Sequence, residues 1–234
     1  MVSDSSLRQN WRQQLESDAL KQQLSAAYAL AVSGEEGVEL LQSTLLERQY
    51  QPPSILDGRI FQLLYALAHP EISDFLDRHW PQGLVPLPPE TTADYTPLQT
   101  SLLQQNFQEA DRLTLTILCQ LAGPSAVARK WVYFTEVQQF PAIDLQTIDR
   151  LWQIYSEGKF GFSVQRRLWL SLGQNWERLW PRLGWKENNL WTRYPNGFIW
   201  GLSAPDGHLP LSNQLRGVRM MEALLCHPAW TEES

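Results

Sequence analysis

Arginine and aromatic side chains are the residues most able to do chemistry in this sequence, and they concentrate in its second half. Residues 159–219 carry nine basic side chains against three acidic ones, and nine of the eleven tryptophans lie from Trp131 onward. Aromatic surface bordered by guanidinium groups favours a flat, mainly apolar ligand with anionic groups on one edge. Tetrapyrroles with propionates have that shape, and so do some acyl and phosphorylated cofactors.

The last predicted helix places polar side chains at i, i+3 and i+6, namely Asn213, Arg216 and Arg219. At about 100° per residue they cover an arc of about 120° on one face. A solvated helix face is the ordinary interpretation of such a pattern. Apolar residues are interleaved with these three, however, so the arginines border an apolar strip instead of continuing into a charged run. The strip consists of Leu211, Leu215 and Val218.

Phe160 and Phe162 flank a glycine just before another predicted helix. A tight turn whose rings fill the core is the ordinary interpretation of this pattern, and it suits Phe160 better than Phe162. We therefore keep Phe162 as a candidate ligand contact.

The sequence carries none of the short motifs that mark common catalytic sites, such as a glycine-rich phosphate loop, a nucleophile elbow or a zinc-protease helix. The spacing of His208 and His227 matches no usual metal site, and Cys226 points away from His227 on a helix. We predict no catalytic residue and no metal held by the protein alone. The alternative is an enzyme that modifies tetrapyrroles, with Tyr194 or His208 as proton donor or nucleophile, although a structural hydrogen bond explains His208 better.

Length and composition predict a soluble globular protein. The 234 residues are 43% hydrophobic and 19% charged, and polar side chains interrupt every long apolar stretch. The net charge of −6 argues against nucleic-acid binding. The N-terminus shows no secretory or transit pattern, which predicts a cytoplasmic protein. Cys119 and Cys226 lie in apolar helical segments and are expected to be small buried side chains without a disulfide.

A proline-rich linker over residues 81–97 separates two predicted domains. Its first nine residues contain four prolines, which cannot continue a helix. Residues 1–80 form an acidic, repeat-like helical bundle, because apolar positions recur at helical spacing. Its predicted helices fall within residues 6–31, 36–48, 54–68 and 71–79. Residues 98–234 form the second domain.

Capping signals define the helices of the second domain. Asn106 with Glu109 predicts a capping box for a helix that ends near Leu121. Asp144 is expected to cap a helix through Tyr155, and Ser163 a helix through Leu172. Further helices are predicted over residues 174–181 and 211–226. A turn signal at 195–197 predicts at most a short hairpin near 190–200. The fold class is therefore all-α.

Three segments of the second domain resemble the genomes-uncoupled-four family over about residues 98–230. They are Ile148–Trp152 with Tyr155 and Ser156, Phe160–Gln165, and Leu202–Pro210. The resemblance, to the cyanobacterial two-domain form, implies an all-helical domain that binds protoporphyrin IX and Mg-protoporphyrin IX in an apolar palm. It also implies a substrate and product carrier that activates magnesium chelatase in chlorophyll synthesis and performs no bond chemistry.

The family's binding positions correspond to aromatic and polar residues of this chain. Two residues of the apolar strip, Leu211 and Val218, are also among the predicted contacts. The resemblance further implies that the carbonyl oxygen of Asn213 is an axial ligand to the porphyrin magnesium. One position departs from the family, because Leu115 stands where a basic side chain is expected. The predicted porphyrin-binding residues are Phe134, Phe162, Tyr194, Phe198, Leu211, Asn213, Arg216, Val218 and Arg219.

The partners implied are porphyrins and the large porphyrin-binding subunit of magnesium chelatase, with the chain itself a monomer. An exposed apolar palm also leaves room for a peripheral membrane-associated fraction. A third hypothesis is a helical scaffold that docks through the acidic bundle. Removing residues 1–88 separates the hypotheses, because porphyrin affinity is expected to survive that truncation.

Overall fold

The computed structural model describes residues 4–212 and 218–231. The chain divides into two compact units, Met1–Pro86 and Leu87–Ser234, and the division falls inside the proline-rich segment. Both units are helical, and the described residues add one two-stranded sheet, so the all-α fold class is confirmed. Within those ranges no helix has both the length and the apolar character that crossing a bilayer requires.

The first unit consists of helices whose buried faces form its own core. The predicted stretch 6–31 is two helices, because the chain turns at residues 16–19, where the Ser17 hydroxyl accepts a hydrogen bond from the Ala19 amide at 3.2 Å. Ser54 and Asp57 form a reciprocal capping box at the start of α4. The helices are α1 Asp4–Leu15, α2 Leu20–Ala31, α3 Glu35–Glu47, α4 Ile55–Ala66 and α5 Pro70–His79.

The second unit begins with two helices that pack on each other and continues through shorter elements. Its α-helices are α6 Thr96–Leu103, α7 Phe107–Ala122, α8 Pro124–Arg129, α9 Phe134–Val137, α10 Ala142–Tyr155, α11 Phe162–Ser171, α12 Trp176–Arg182 and α13 Arg219–Leu225. The strands are β1 Lys186–Glu187 and β2 Leu190–Trp191, and a 3-10 helix covers Pro228–Trp230.

Two predicted helix caps are wrong because the carboxylate and hydroxyl concerned bind tertiary partners. Pro141 occupies the cap position of α10, while Asp144 is fully buried and accepts a hydrogen bond from the Tyr95 hydroxyl at 2.6 Å. Gly161 occupies the cap position of α11. The Ser163 hydroxyl, one residue into α11, instead accepts a hydrogen bond from the Gln153 side chain of α10 at 3.0 Å, and the Ser163 amide donates to a carboxylate of α10.

The capping box predicted for α7 is only half formed. The Asn106 side chain accepts a hydrogen bond from the Glu109 amide at 3.3 Å, as expected. The Glu109 carboxylate, however, binds Arg112 on the next turn instead of the Asn106 amide.

The hairpin lies earlier than predicted. β1 pairs with β2 in antiparallel register, Lys186 opposite Trp191, and the two-residue turn is Asn188-Asn189 with φ of 47° and 65°. Asparagine tolerates this left-handed conformation, which a tight hairpin turn requires at both positions. The segment 195–197 forms a separate turn in which the Gly197 amide donates to the Arg193 carbonyl at 2.8 Å.

The last long helix is shorter than the predicted 211–226. It begins at Arg219, and residues 211 and 212 have no helical structure. The Leu211 amide donates to the Asp111 carboxylate at 2.6 Å, which holds the backbone at Leu211 against α7. The intervening residues 213–217 lie outside the described ranges.

Tryptophans form the core beneath the hairpin. The Trp180 ring stacks on Trp176 with centroids 5.2 Å apart and on Trp185 at 5.8 Å. Both cysteines are described and both are free thiols. Cys119 is buried as predicted, whereas Cys226, the residue after the last turn of α13, is exposed and corrects the expectation of burial.

Gly161 is required by a close approach between α10 and α11. Its φ is +133°, and a Cβ added there would lie 2.6 Å from an Asp149 carboxylate oxygen. That carboxylate also accepts the Ser163 amide at 2.8 Å, which fixes the first turn of α11.

We therefore expect Gly161→Ala to lower the free energy of unfolding by about 3 kcal/mol in urea titrations. Gly173→Ala is the matched control, because φ is +69° there but nothing lies within 4 Å of the added Cβ. Its expected loss is about 1 kcal/mol. Equal losses in the two variants would show that the Asp149 contact is unimportant.

Candidate functional site

Phe134 and Arg219 are brought together by the packing of α9 against α13. The Arg219 guanidinium carbon lies 5.5 Å from the centre of the Phe134 ring, within range of a cation–π contact. The ring is half-buried, whereas Arg219 is exposed. An aromatic face and a cation open to an anionic ligand therefore lie side by side.

The start of α9 is held by a local charge cluster. The Glu136 carboxylate accepts the Tyr133 amide at 2.7 Å and also pairs with Arg129 at the end of α8. The Arg129 guanidinium lies over the Tyr133 ring, 4.3 Å from its centre. Desolvation is the largest single effect and raises the pKa of Glu136, but the hydrogen bonds from Arg129 and Tyr133 and the attraction to Arg129 together keep this pKa below its usual value. These contacts fix the backbone from which Phe134 projects.

Tyr194 and Phe198 form a second aromatic group on the segment after the hairpin. Their ring centroids are 6.4 Å apart, and Trp200 packs against both. The Trp200 indole donates to the Pro195 carbonyl at 3.0 Å, which closes the turn between them. Tyr194 is 58% exposed, whereas Phe198 is 6% exposed and belongs to the tryptophan core.

Leu211 and Val218 pack against the same tryptophan core as Phe198. Both are half-buried, so each keeps part of its apolar surface accessible. The structure thus gathers these three predicted residues on one cluster. Asn213 and Arg216, which lie between Leu211 and Val218 in the chain, fall outside the described residues.

Phe162 is buried, unlike the accessible residues described above. Its side chain is 1% exposed at the first position of α11, and Phe160 is fully buried beside Trp152. Both rings fill the core in this structure. Ligand contact by Phe162 remains a prediction, and it requires the groups that cover the ring to move.

His208 has both ring nitrogens engaged by the backbone. Nδ1 donates to the Leu183 carbonyl at 2.5 Å, and Nε2 accepts the Ile199 amide at 3.1 Å. A carbonyl only accepts and an amide only donates, so the partners fix the neutral tautomer. Desolvation lowers the pKa of His208, which also favours the neutral ring. Its role is structural, and this removes one of the two candidates for the enzyme hypothesis.

Gln165 and Asp111 hold the chain just before the predicted binding segment. The Gln165 amide group donates to the Gly207 carbonyl at 3.0 Å and to the Pro210 carbonyl at 2.8 Å. Asp111 accepts the Leu211 amide. Neither residue is among the predicted site residues, although Asp111 lies on the apolar face of α7, between Phe107 and Thr114 at helical spacing. A carboxylate at a buried position of a helix was a usable signal.

Asp111 is a buried carboxylate with a perturbed titration. Desolvation raises its pKa to about 7, and the hydrogen bond from Leu211 opposes the shift only in part. Neither Asp111 nor any other His, Cys, Asp or Glu side chain of the described residues belongs to a group of three or more that could hold a metal ion.

The fold and the accessible residues define a class of protein: a small helical domain that presents aromatic rings beside an exposed guanidinium group, preceded by a separate helical unit. The family model described as "GUN4-like" matches residues 89–228, and the model described as "ARM-like repeat domain, GUN4-N terminal" matches residues 2–81. The chain belongs to the GUN4-like family, as its sequence motifs predicted.

Relatives extend over most of the chain. A "Ycf53-like protein" of Synechocystis is 50% identical over 94% of this chain and 95% of its own length. The "Tetrapyrrole-binding protein, chloroplastic" of Arabidopsis thaliana is 38% identical over 60% of this chain and 57% of its own length. The solved structure of GUN4 from Chlamydomonas reinhardtii is 40% identical, has a TM-score of 0.59, and covers 63% of this chain and 95% of that one.

The raised pKa of Asp111 predicts how stability changes with pH. A carboxyl whose folded pKa lies above its ordinary value of 3.8 stabilises the fold below that value, and the contribution is lost as the pH rises to about 7. Asp111→Asn keeps an oxygen acceptor for Leu211 but does not titrate. As the pH is raised from 4 to 8, we expect the free energy of unfolding of the variant to rise by on the order of 2 kcal/mol relative to that of wild type, as measured in urea titrations.

Asp206→Asn, at an exposed position, serves as the control for the loss of one carboxylate charge. A constant difference between Asp111→Asn and wild type from pH 4 to pH 8 would mean that folding does not raise the pKa of Asp111.

Proposed function

We propose that this protein binds protoporphyrin IX and Mg-protoporphyrin IX in its second unit. Membership of the GUN4-like family and the tetrapyrrole-binding name of the Arabidopsis relative support the ligand class. The observation that carries the proposal is the Arg219 guanidinium beside the half-buried Phe134 ring. The proposed ligand-contacting residues are Phe134, Phe162, Tyr194, Phe198, Leu211, Asn213, Arg216, Val218 and Arg219.

The proposed contact residues have the chemistry that a propionate-bearing porphyrin needs. Apolar faces of Phe134, Leu211 and Val218 bury the macrocycle, at about 25 cal/mol for each Å² removed from water. Arg216 and Arg219 supply charge-assisted hydrogen bonds to the carboxylates. In the magnesium form, the side-chain oxygen of Asn213 is the proposed axial ligand, because magnesium prefers oxygen donors. The metal then belongs to the porphyrin, and the protein alone holds none.

We infer further that the protein serves magnesium chelatase as a carrier of substrate or product and as an activator, docking on the large porphyrin-binding subunit. It performs no bond chemistry in this proposal. Support comes from His208, whose two nitrogens are both committed to the backbone and cannot transfer protons without breaking a structural bond. The proposed location is the cytoplasm, with a peripheral membrane-associated fraction, and the proposed state is a monomer.

Arg219→Gln tests the carboxylate contact. Deuteroporphyrin IX, which carries two propionates, is titrated into the full chain while tryptophan fluorescence is recorded. We expect the dissociation constant to rise about tenfold, because a charge-assisted hydrogen bond is lost. The dimethyl ester of the same porphyrin is expected to bind wild type and variant equally. An equal weakening for both ligands would refute the carboxylate role, and no quenching of wild type by either ligand would refute porphyrin binding.

Removing residues 1–86 tests where the ligand binds. The fragment 87–234 contains every proposed contact and is a compact unit. Its affinity for deuteroporphyrin IX is expected to match that of the full chain within about a factor of two. Loss of binding by a fragment that still unfolds cooperatively would place part of the site in the first unit.

Stimulation of purified magnesium chelatase tests the proposed role. At limiting porphyrin, adding the full chain is expected to raise the rate of magnesium insertion, and the Arg219→Gln variant is expected to require more porphyrin for the same rise. If the wild-type chain binds porphyrin but leaves the rate of magnesium insertion unchanged, the proposed activation is refuted while the proposed binding stands.

A further inference from the structure

One turn of α7 lies beside both chain segments that carry proposed ligand contacts. Asp111 binds the backbone of Leu211, as described above. The next residue, Arg112, lines a cleft of about 270 Å³ together with the exposed Tyr194 ring. The remaining lining residues are Asn106, Gln108 and Glu109. Arg112 is therefore a basic side chain placed at the Tyr194 edge of the candidate site.

Arg112 is held by a neighbour that resembles a ligand carboxylate in its chemistry. Its Nε atom donates to Glu109 at 2.7 Å and its Nη2 atom donates to the other carboxylate oxygen at 2.5 Å. This bond lowers the pKa of Glu109 and raises that of Arg112. The Arg112 side chain is 57% exposed and that of Glu109 37% exposed. Exposed pairs of this kind are weak, so a second carboxylate can compete for the guanidinium.

We propose that Arg112 is a further carboxylate-binding residue of the tetrapyrrole site and that Glu109 competes with the ligand for it. The inference rests on the proposed function. A guanidinium group has five N–H donors, and the bond to Glu109 uses one edge. A ligand carboxylate beside Tyr194 either takes the second edge or displaces Glu109. In both cases the Glu109 charge opposes binding.

This arrangement makes opposite predictions for Glu109 and Arg112, which lie one helical turn apart. Removing the Arg112 charge weakens binding of a porphyrin with free propionates, whereas removing the Glu109 charge strengthens it. Both side chains are partly exposed on one helix, and glutamine is a good helix former, so both substitutions preserve α7.

The test compares Arg112→Gln, Glu109→Gln and the double variant in the full chain. Each is titrated with deuteroporphyrin IX and with its dimethyl ester, with tryptophan quenching as the signal. We expect Arg112→Gln to raise the dissociation constant for the free acid about fivefold and Glu109→Gln to lower it two- to threefold. In the double variant the gain from Glu109→Gln disappears, and the ester shows none of these changes.

The ion pair Arg12–Glu47 in the first unit supplies the matched control. Its nitrogen and oxygen are 2.9 Å apart, and both side chains are exposed to a similar degree. Arg12→Gln and Glu47→Gln change the net charge by the same amounts and are expected to leave both affinities unaltered.

Each outcome decides the matter. If wild type binds deuteroporphyrin IX and Arg112→Gln binds it equally well, or if the ester is affected like the acid, the role of Arg112 is wrong while the proposed function stands. An additive double variant refutes the competition with Glu109. If Glu47→Gln strengthens binding as much as Glu109→Gln, the effect is one of net charge. If wild type binds neither porphyrin, the proposed function fails and this inference fails with it.

Discussion

Hydrogen bonds to the backbone of residues 207–211 determine where the candidate site lies. The Leu211 amide is bound by Asp111 of α7, and the Gly207 and Pro210 carbonyls by Gln165 of α11. The Leu209 carbonyl accepts the Gly161 amide at 3.0 Å. These side chains are buried, so water cannot replace them, and an unmade bond there would cost more than an exposed one. These bonds therefore fix the position of the backbone from Gly207 to Leu211.

The tryptophan core supports the hydrogen-bonded backbone of residues 207–211. The Trp185 indole donates to the His208 carbonyl at 2.8 Å, and the His208 ring binds both Leu183 and Ile199. The loop with Tyr194 and Phe198 is thus tied to the loop before Leu211 through one histidine. Aromatic side chains supply large contact area with few rotatable bonds, which suits a surface that must keep its shape beside a ligand. The stability of the core and the placement of the site share the same contacts.

Charge is distributed according to the cost of burial. Asp111, Asp144 and Asp149 are buried, and each accepts a hydrogen bond from a distant part of the chain, so each links its own helix to another segment. Arg219 and Arg112 keep their guanidinium groups exposed, and their positive charge remains available to a ligand. A buried cation would have required a partner of its own. The carboxylates thus hold the framework, while the two arginines stay exposed at the surface.

Local sequence determined the helical fold class, the proline-rich division and the family, because periodicity, prolines and contiguous motifs are properties of neighbouring residues. It also identified candidate site residues, among them Phe134, Tyr194, Phe198 and Arg219. It could not reveal that Asp144 binds Tyr95, that Asp111 binds the Leu211 amide, or that Arg112 lies beside Tyr194. Those pairs are separated by 49, 100 and 82 positions in the chain. Only tertiary packing brings such residues together, and desolvation then decides which carboxylates become structural and which charges stay accessible.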